Sequence, residues 1–449
     1  MKRDIGTFSS LKSNQREAFG LLSIGTFLEY FDLMIYVHMA ALLNELFFPK
    51  VDPDTAVLLQ AFAFCTAFIF RPLGALIIGA IGDVWGRKST VVITTIMMAI
   101  SCLIMANLPT YSQIGIAASW IVTLCRICQG ISSVGEIVGA ELYLTEITKP
   151  PIQYPIVASI AVTSILGTVA ALIIVDIVLK YGFEWRIAFW IGACIALIGA
   201  VARTALRETC DFTDAKKLMK KRYEQASMDP SLADNSIMIS KEKINKKVII
   251  YLFIMHCAWP MCFYLGYIHC QNILKNSFGY DTSAIIHHNF FVSLVQLVIA
   301  ILMACLTYKV YPLILVKIKL IIFSIFVLLC PYLLSNITTP FHLFLIQSFL
   351  ISFGGITGLA MPIFFKHIPV FKRFTYSSVT YALSRALMYI ITSFGIIYLT
   401  KYFGFYGLLV IMVPIHIGGY LGICYFEKLE KVAGNHPQKK MFSEIALVG

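Results

Sequence analysis

This sequence predicts an all-α polytopic membrane protein with twelve transmembrane helices in two six-helix bundles. Three observations carry the prediction. Of 449 residues, 59% are hydrophobic and only 13% charged, too apolar a composition to cover a water-soluble protein of this size. Apolar stretches of about 20 residues, long enough to cross a ~30 Å hydrocarbon core as helix, recur along the whole chain. One long polar segment divides those stretches six and six.

The elements follow in order. Residues 1–17 are polar and basic. No cleavable signal peptide is expected, because the apolar run after them is too long for a signal-peptide core. Helices are expected at about 18–47, 56–82, 89–108, 113–143, 154–179 and 185–206, which make the amino-terminal bundle, 18–206. The polar linker, 207–246, includes the basic run KKLMKKRYEQASMDPSLADNS with a loop near Pro230. Helices at about 247–271, 284–309, 313–335, 340–365, 375–399 and 403–426 make the carboxy-terminal bundle, 247–426. The tail, 427–449, is too short for a sustained heptad pattern.

Charge placement sets the expected orientation. With both termini on one side, 27 of the 36 lysines and arginines fall in loops of that side and five on the other. By the positive-inside rule both termini are cytoplasmic. The net charge of +12 is then mostly topology and contact with anionic lipid, and no nucleic-acid partner is expected. The twelve cysteines are scattered. Cys125 and Cys128 form a CxxC with no second pair, so neither a metal site, a cofactor nor a disulfide framework is implied. The chain has no convergent nucleophile–base pair and no phosphate-cradling G-x-x-x-x-G-K-[ST] loop. It does not read as an enzyme or an ATP-driven pump.

Intramembrane acids are Glu29, Asp32, Glu136, Glu141 and Asp176, with Glu45 and Glu146 near span ends. From Val248 to Phe426 the only acid is Asp281, in an expected loop. A carboxylate at mid-membrane costs roughly 2.5–3.5 kcal/mol on insertion scales, so such residues are functional candidates. If protons move through membrane carboxylates, their site is in the amino-terminal bundle. At about 100° per residue, Glu29, Asp32 and Tyr36 share one helix face, and Arg126, Gln129, Ser133 and Glu136 fall within an arc of about 80°.

The loop after the second helix, GAIGDVWGRKS, places Gly79, Asp83, Gly86, Arg87 and Lys88 in the pattern G-x-x-x-D-x-x-G-[RK]-[RK]. The glycines permit close helix approach and Asp83 suits a helix N-terminus. This loop resembles the signature of the major facilitator superfamily between its second and third helices. Arg126, Gln129 and Gly130 resemble that superfamily's R-x-x-Q-G signature. Together with FLEYFD (27–32), RPLGALIIG (71–79) and EWRIAFWIG (184–192) they look like the metabolite:proton symporter family, which includes proline/betaine, oxoglutarate, citrate and shikimate carriers. The second half lacks the repeated loop signature, and Cys210 stands where that family has proline.

The resemblance implies the major facilitator fold, a midplane solute site and the signature loop as a latch between bundles. It also associates Arg126 with proton coupling. Glu29, Asp32 and Glu136 are the coupling candidates, with Arg126 as their modulator. Arg71 suits a bidentate grip on a solute carboxylate, or a salt bridge to Glu29 or Asp32. Arg385 offers a second anion contact or a structural pairing. Trp259 and Tyr264, on a seventh helix interrupted by Pro260 and Gly266, and Tyr36 on the first, complete the candidate solute contacts. The expected function is proton-coupled uptake of a small zwitterionic or carboxylate solute, proline/betaine-like compounds ahead of dicarboxylates. The competing readings are an uncoupled facilitator or exchanger of an organic acid and, more remotely, a non-transporting receptor. The expected setting is a bacterial inner membrane, and a monomer is expected.

Overall fold

The computed structural model describes residues 11–49, 65–209, 213–214, 216–218, 220, 244–355 and 357–437. Ten described helical stretches are long and apolar enough to cross a bilayer. The last of them, Val370–Val432, holds two helices joined by the 3-10 turn Gly404–Leu408, and the shorter apolar helix Pro340–Phe353 brings the set to twelve. They are α1 Ser13–Phe47, α2 Cys65–Val84, α3 Arg87–Asn107, α4 Ile116–Ile147, α5 Gln153–Tyr181 and α6 Arg186–Arg203 in the first half. The second half contributes α7 Lys246–Phe278, α8 Thr282–Leu306, α9 Pro312–Ser335, α10 Pro340–Phe353, α11 Val370–Phe403 and α12 Leu409–Val432. The start of the second helix expected at 56, most of the 207–246 linker and the end of the tail lie outside the described residues.

Each half packs on itself first. In the amino-terminal half α1 lies along α5, and α3 along α6 and α4; in the other, α7 packs on α12 and α11, and α9 on α12 and α10. The halves meet along two principal lines, α5 against α8 and α2 against α11, with α4 also touching α11. Large side chains such as Leu73, Ile77, Ile198, Leu302, Ile325 and Leu328 point outward, as a surface solvated by lipid tails allows. Because lipid is as apolar as leucine, packing rather than water exclusion holds helices together there.

α7 is interrupted around Pro260 and Gly266, where the sequence led one to expect it, whereas α10 differs from the continuous span expected. α7 is segmented at Cys257, and a π turn occupies Tyr264–His269. Pro260 lacks the N–H that would bond back to His256, which accounts for the break there. α10 stops at Phe353, and the chain re-enters helix only at Met361–Lys366. The intervening run contains Gly354, Gly355 and Gly358. Lys319 Nζ of α9 donates to the freed carbonyl of Gly355 at 2.7 Å. The charge count assigns Lys319 to a loop; the structure places it inside α9, bonded to the interior break. Irregular backbone at membrane depth survives only where such partners or a cavity receive its polar groups.

Candidate functional site

A cavity of about 170 Å³ lies between the two halves. α1 lines it with Tyr30 and Met34, α4 with Glu141, and α5 with Ser164 and Thr168. The second half contributes His256, Trp259, Phe263 and Tyr267 from α7, Gln296 from α8, Lys319 from α9, and Tyr381 and Arg385 from α11. The Arg385 guanidinium lies 3.3 Å from the centroid of the Tyr381 ring and gives Tyr381 O a long bond of 3.4 Å. Tyr267 OH bonds Ser293 at 2.9 Å and Gln296 at 3.2 Å, which fixes one aromatic wall. A second, much smaller void of about 10 Å³ shares Tyr30, Trp259, Phe263, Tyr381 and Arg385 with it and reaches Glu29, Arg71 and Tyr389. The site thus combines a guanidinium, an ammonium, one carboxylate and a set of aromatic faces.

Beside the cavity, buried acids are matched to arginines on neighbouring helices. Glu29 of α1 stands 3.7 Å from Arg71 of α2. This pair is loose, since Glu29 Oε2 and Arg71 Nε are buried without a hydrogen-bond partner. Asp32 of α1 pairs with Arg126 of α4 at 3.4 Å and accepts from Gln129 Nε2 at 2.9 Å and Cys102 Sγ at 3.6 Å. Arg126 also bonds Gln129 at 2.9 Å and lies 3.9 Å over the Tyr36 ring.

Glu136 is held elsewhere. Arg203 of α6 pairs with it at 2.5 Å, and Thr94 and Thr95 of α3 donate to it at 3.1 and 2.6 Å. Arg203 is itself fully buried and caps the Leu21 and Leu22 carbonyls of α1 at 2.8 and 3.0 Å. The expected modulation of Glu136 by Arg126 is therefore corrected in this conformation. The two share a stripe on α4, but Glu136 faces α3 and α6, where Arg203 neutralises it.

The signature loop joins the halves at one end. Asp83 accepts from the backbone N–H groups of Phe374 and Thr375 in α11, at 3.1 and 2.9 Å. A Cβ on Gly79 would come within 2.7 Å of Thr375 Cα, and one on Gly82 within 2.7 Å of the Phe374 ring, so only glycine lets α2 approach this closely. Gly86, at φ +110°, turns the chain into α3 through backbone space that side chains avoid. Arg87 is fully buried; it donates to Gly82 O at 2.7 Å, Val370 O at 2.8 Å and Glu146 of α4 at 3.1–3.2 Å. Arg373 of α11 reaches the same Glu146 at 3.2 Å. Glu208 accepts from the N–H groups of Arg87 and Lys88 at 2.9 and 3.3 Å. The Lys88 side chain is only half-buried. The result is a charged clasp in which α2, α3, α4 and α11 meet, closing the halves against each other at this end.

Comparison with known proteins decides the family. The model of the major facilitator superfamily matches residues 22–396. The chain belongs to the major facilitator superfamily. Within it, 208 residues are 33% identical to the proline/betaine transporter of Salmonella typhimurium strain LT2, and 32% identical to that of Escherichia coli K12. Each alignment covers 44% of this chain and 41% of the relative. A putative proline/betaine transporter of Staphylococcus aureus strain COL is 33% identical over 194 residues, 41% of this chain and 42% of that one. The matches thus span about two fifths of the length of these relatives. Among solved structures, the proton:xylose symporter XylE bound to a bromodeoxyglucose superimposes with a TM-score of 0.74 at 14% identity, covering 93% of this chain and 96% of that one. The human organic anion transporter MFSD10 gives 0.65 at 14% identity, covering 92% and 100%. At such identities these two show the fold alone.

In this superfamily member the sequence's candidates divide into groups. Arg385 and Trp259 line the cavity, whereas Arg71 reaches only its small neighbour. Tyr36 lies under Arg126 and not on the cavity wall, and Tyr264 is packed in the core beside Phe263. Three residues that the Arg126–Glu136 stripe does not reach prove central to the architecture. Glu141 lies 140° round the α4 helical wheel from Glu136, which turns it to the cavity. Lys319 sits seven residues inside α9, a position its helix start at Pro312 would reveal. Arg203, near a span end by sequence, becomes buried because α1 crosses over it.

Proposed function

We propose that this transporter carries out proton-coupled uptake of a small zwitterionic or carboxylate solute, proline/betaine-like compounds first, by alternating access at the cavity between its halves. The observation that carries this reading is Arg385. It is a buried guanidinium on the cavity wall, stacked on Tyr381 and facing Trp259, Phe263 and Tyr267 across a space of about 170 Å³. A guanidinium holds a carboxylate through paired charge-assisted bonds. Desolvated aromatic faces attract a quaternary or secondary ammonium by about 2 kcal/mol. The cavity suits a solute of few atoms. The printed names of the relatives, proline/betaine transporter, support the same substrate class.

Coupling is assigned to carboxylates of the amino-terminal half. Glu29–Arg71 bridges α1 and α2, and Asp32–Arg126 bridges α1 and α4, so helix movement during rocking would open or close both. Glu136, locked to Arg203, is the least suited of the original candidates. The membrane is proposed to be a bacterial inner membrane with the clasp on its cytoplasmic face, and the clasp to open when solute is released inward.

Purified protein in vesicles tests this reading. An imposed inward proton gradient should drive accumulation of radiolabelled proline or glycine betaine, and a protonophore should abolish it. Gradient-independent flux, or transport of oxoglutarate or citrate in preference to both, would replace the proposal with an uncoupled or organic-acid carrier.

A further inference from the structure

Six acids are buried among the described residues of the amino-terminal half: Glu29, Asp32, Asp83, Glu136, Glu141 and Glu146. Five stand in ion pairs with arginines: Arg71, Arg126, Arg87, Arg203, and Arg87 with Arg373, respectively for Glu29, Asp32, Asp83, Glu136 and Glu146. Glu141 does not. Its residue is 8% exposed, its carboxylate lies on the cavity wall, and among the described residues no side-chain hydrogen bond or ion pair reaches that carboxylate. Its backbone is ordinary helix, with the Thr145 hydroxyl returning to Glu141 O at 2.7 Å. A carboxylate so placed is stable only as the neutral acid or beside a cation.

We infer that Glu141 is the residue on which the transported proton rides, and that Arg385 controls its loading by being free or occupied by a solute carboxylate. This rests on the transport reading above and adds to it a residue outside the coupling set named there.

The surroundings of Glu141 make the exchange specific. α1 presents Tyr30 and, behind it, the Glu29–Arg71 pair; α7 presents His256 and Tyr267; α9 presents Lys319; α11 presents Tyr381 and Arg385. α5 and α8 present no titratable side chain to the cavity. Lys319 is committed to the Gly355 carbonyl, and Arg71 stands beside Glu29 on the smaller void and not on the main cavity. Arg385 lines the same cavity as Glu141. Among the described residues its one hydrogen bond goes to a carbonyl at 3.4 Å, and its guanidinium stacks on Tyr381 at the cavity wall.

The cycle then balances without any further ion. In the empty cavity the free guanidinium of Arg385 makes ionisation of Glu141 less costly than it is with the guanidinium occupied. A solute carboxylate seated on the guanidinium cancels that support, and Glu141 takes one proton from the open side, carboxylate plus H⁺ giving the neutral acid. Rocking of the half that holds α11 against the half that holds α4 then closes the cavity to the first side and opens it to the other. Departure of the solute restores the guanidinium's field, and the neutral acid releases its proton there. Solute and proton each strengthen the binding of the other by the same factor, as linkage requires. The arrangement also explains why a half that contributes no acid to the cavity still participates, since it holds the cation that reports solute occupancy.

Two measurements on the full-length protein test this. In weakly buffered detergent solution, adding glycine betaine to wild type should draw up about one proton per bound solute, read by a pH indicator. Glu141→Gln should bind glycine betaine and take up none. In vesicles, one-to-one coupling to a gradient of about one pH unit sustains about tenfold accumulation. Glu141→Gln should lose that accumulation while keeping solute exchange in counterflow, and Glu141→Asp should recover part of it. The assignment is overturned if Glu141→Gln still takes up a proton on binding, accumulates like wild type, or loses counterflow together with a folded Glu141→Asp. It is overturned in favour of Glu29 if Glu29→Gln alone abolishes proton uptake. Wild type that moves neither proline nor glycine betaine in either assay would overturn the transport reading itself.

Discussion

Among the described residues, the buried acids and the arginines that pair with them concentrate in the amino-terminal half, beside many buried hydroxyls, whereas the carboxy-terminal half buries mainly amides, hydroxyls and imidazoles. The first half fixes α1 to α2, α4 and α6 through Glu29–Arg71, Asp32–Arg126 and the contacts of Arg203. The second fixes α8 to α10 through Gln347 Nε2 donating to Asn289 Oδ1 at 2.8 Å, with His288 on Gln347 at 2.9 Å, and α7 to α8 through Tyr267 and Ser293. Its buried acid, Glu430, sits at the end of α12 with His367 and Tyr311. The difference is one of chemistry available for work. Carboxylates can exchange protons and amides cannot, so the half with ions is suited to coupling. The half with neutral contacts and a single cavity guanidinium is suited to recognition.

The sharpest way to break this comparison is to remove one ion of a pair. Arg203→Met leaves Glu136 buried without its cation, and should cost about 3–5 kcal/mol. Thermal unfolding in detergent should show that loss, and Arg203→Met with Glu136→Leu should recover most of it. Equal destabilisation in the single and double variants would mean that Arg203 acts through its contacts with α1 and not through charge. On the recognition side, Arg385→Gln should lower affinity for glycine betaine about a hundredfold, near 2.7 kcal/mol. Titration calorimetry reads this directly, and unchanged affinity would remove Arg385 from the solute site.

The boundary between halves gives a smaller effect. Asp83→Asn weakens charge-assisted bonds to Phe374 and Thr375 N–H, at least about 1.5 kcal/mol or roughly tenfold in the opening equilibrium. Ala161→Cys, at a cavity position and in a background with the native cysteines replaced, should then label faster from the clasp side. Unaltered labelling would show that Arg87 and Arg373 on Glu146 hold the clasp without Asp83. The smallest effect is expected within the neutral network. Asn289→Leu should cost about 0.6 kcal/mol and no more than about 1.7, the range of polar contacts between membrane helices. A loss as large as that of Arg203→Met would erase the distinction between the halves.

Much of this was legible in the sequence, and the pattern of success is physical. The apolar stretches and the 207–246 divider predict the helix set and its two halves because crossing lipid demands length and hydrophobicity that local sequence must carry. The loop itself was legible through its resemblance to a family signature and, at Gly86, through a local backbone need; that Gly79 and Asp83 meet Thr375 and Phe374 of α11 was not. Nor was partner choice. Angles on one helix wheel group Arg126 with Glu136, but they say nothing of which neighbour each side chain meets. The break in α10 was equally hidden, since Gly354 and Gly355 are tolerated in many continuous membrane helices.

By itself, then, the sequence determined that the chain crosses the membrane twelve times, that its membrane acids belong to one half, and that a glycine-and-charge loop joins α2 to α3. Only the tertiary structure decided that Arg203 takes Glu136, that Lys319 enters the interior to satisfy Gly355, and that Glu141, without an ion-pair partner among the described residues, lines the same cavity as Arg385. The reason is the range of the forces involved. Hydrophobic length and turn chemistry act between near neighbours in the chain, whereas the pairing of a buried charge depends on which distant helix the packing brings within 4 Å.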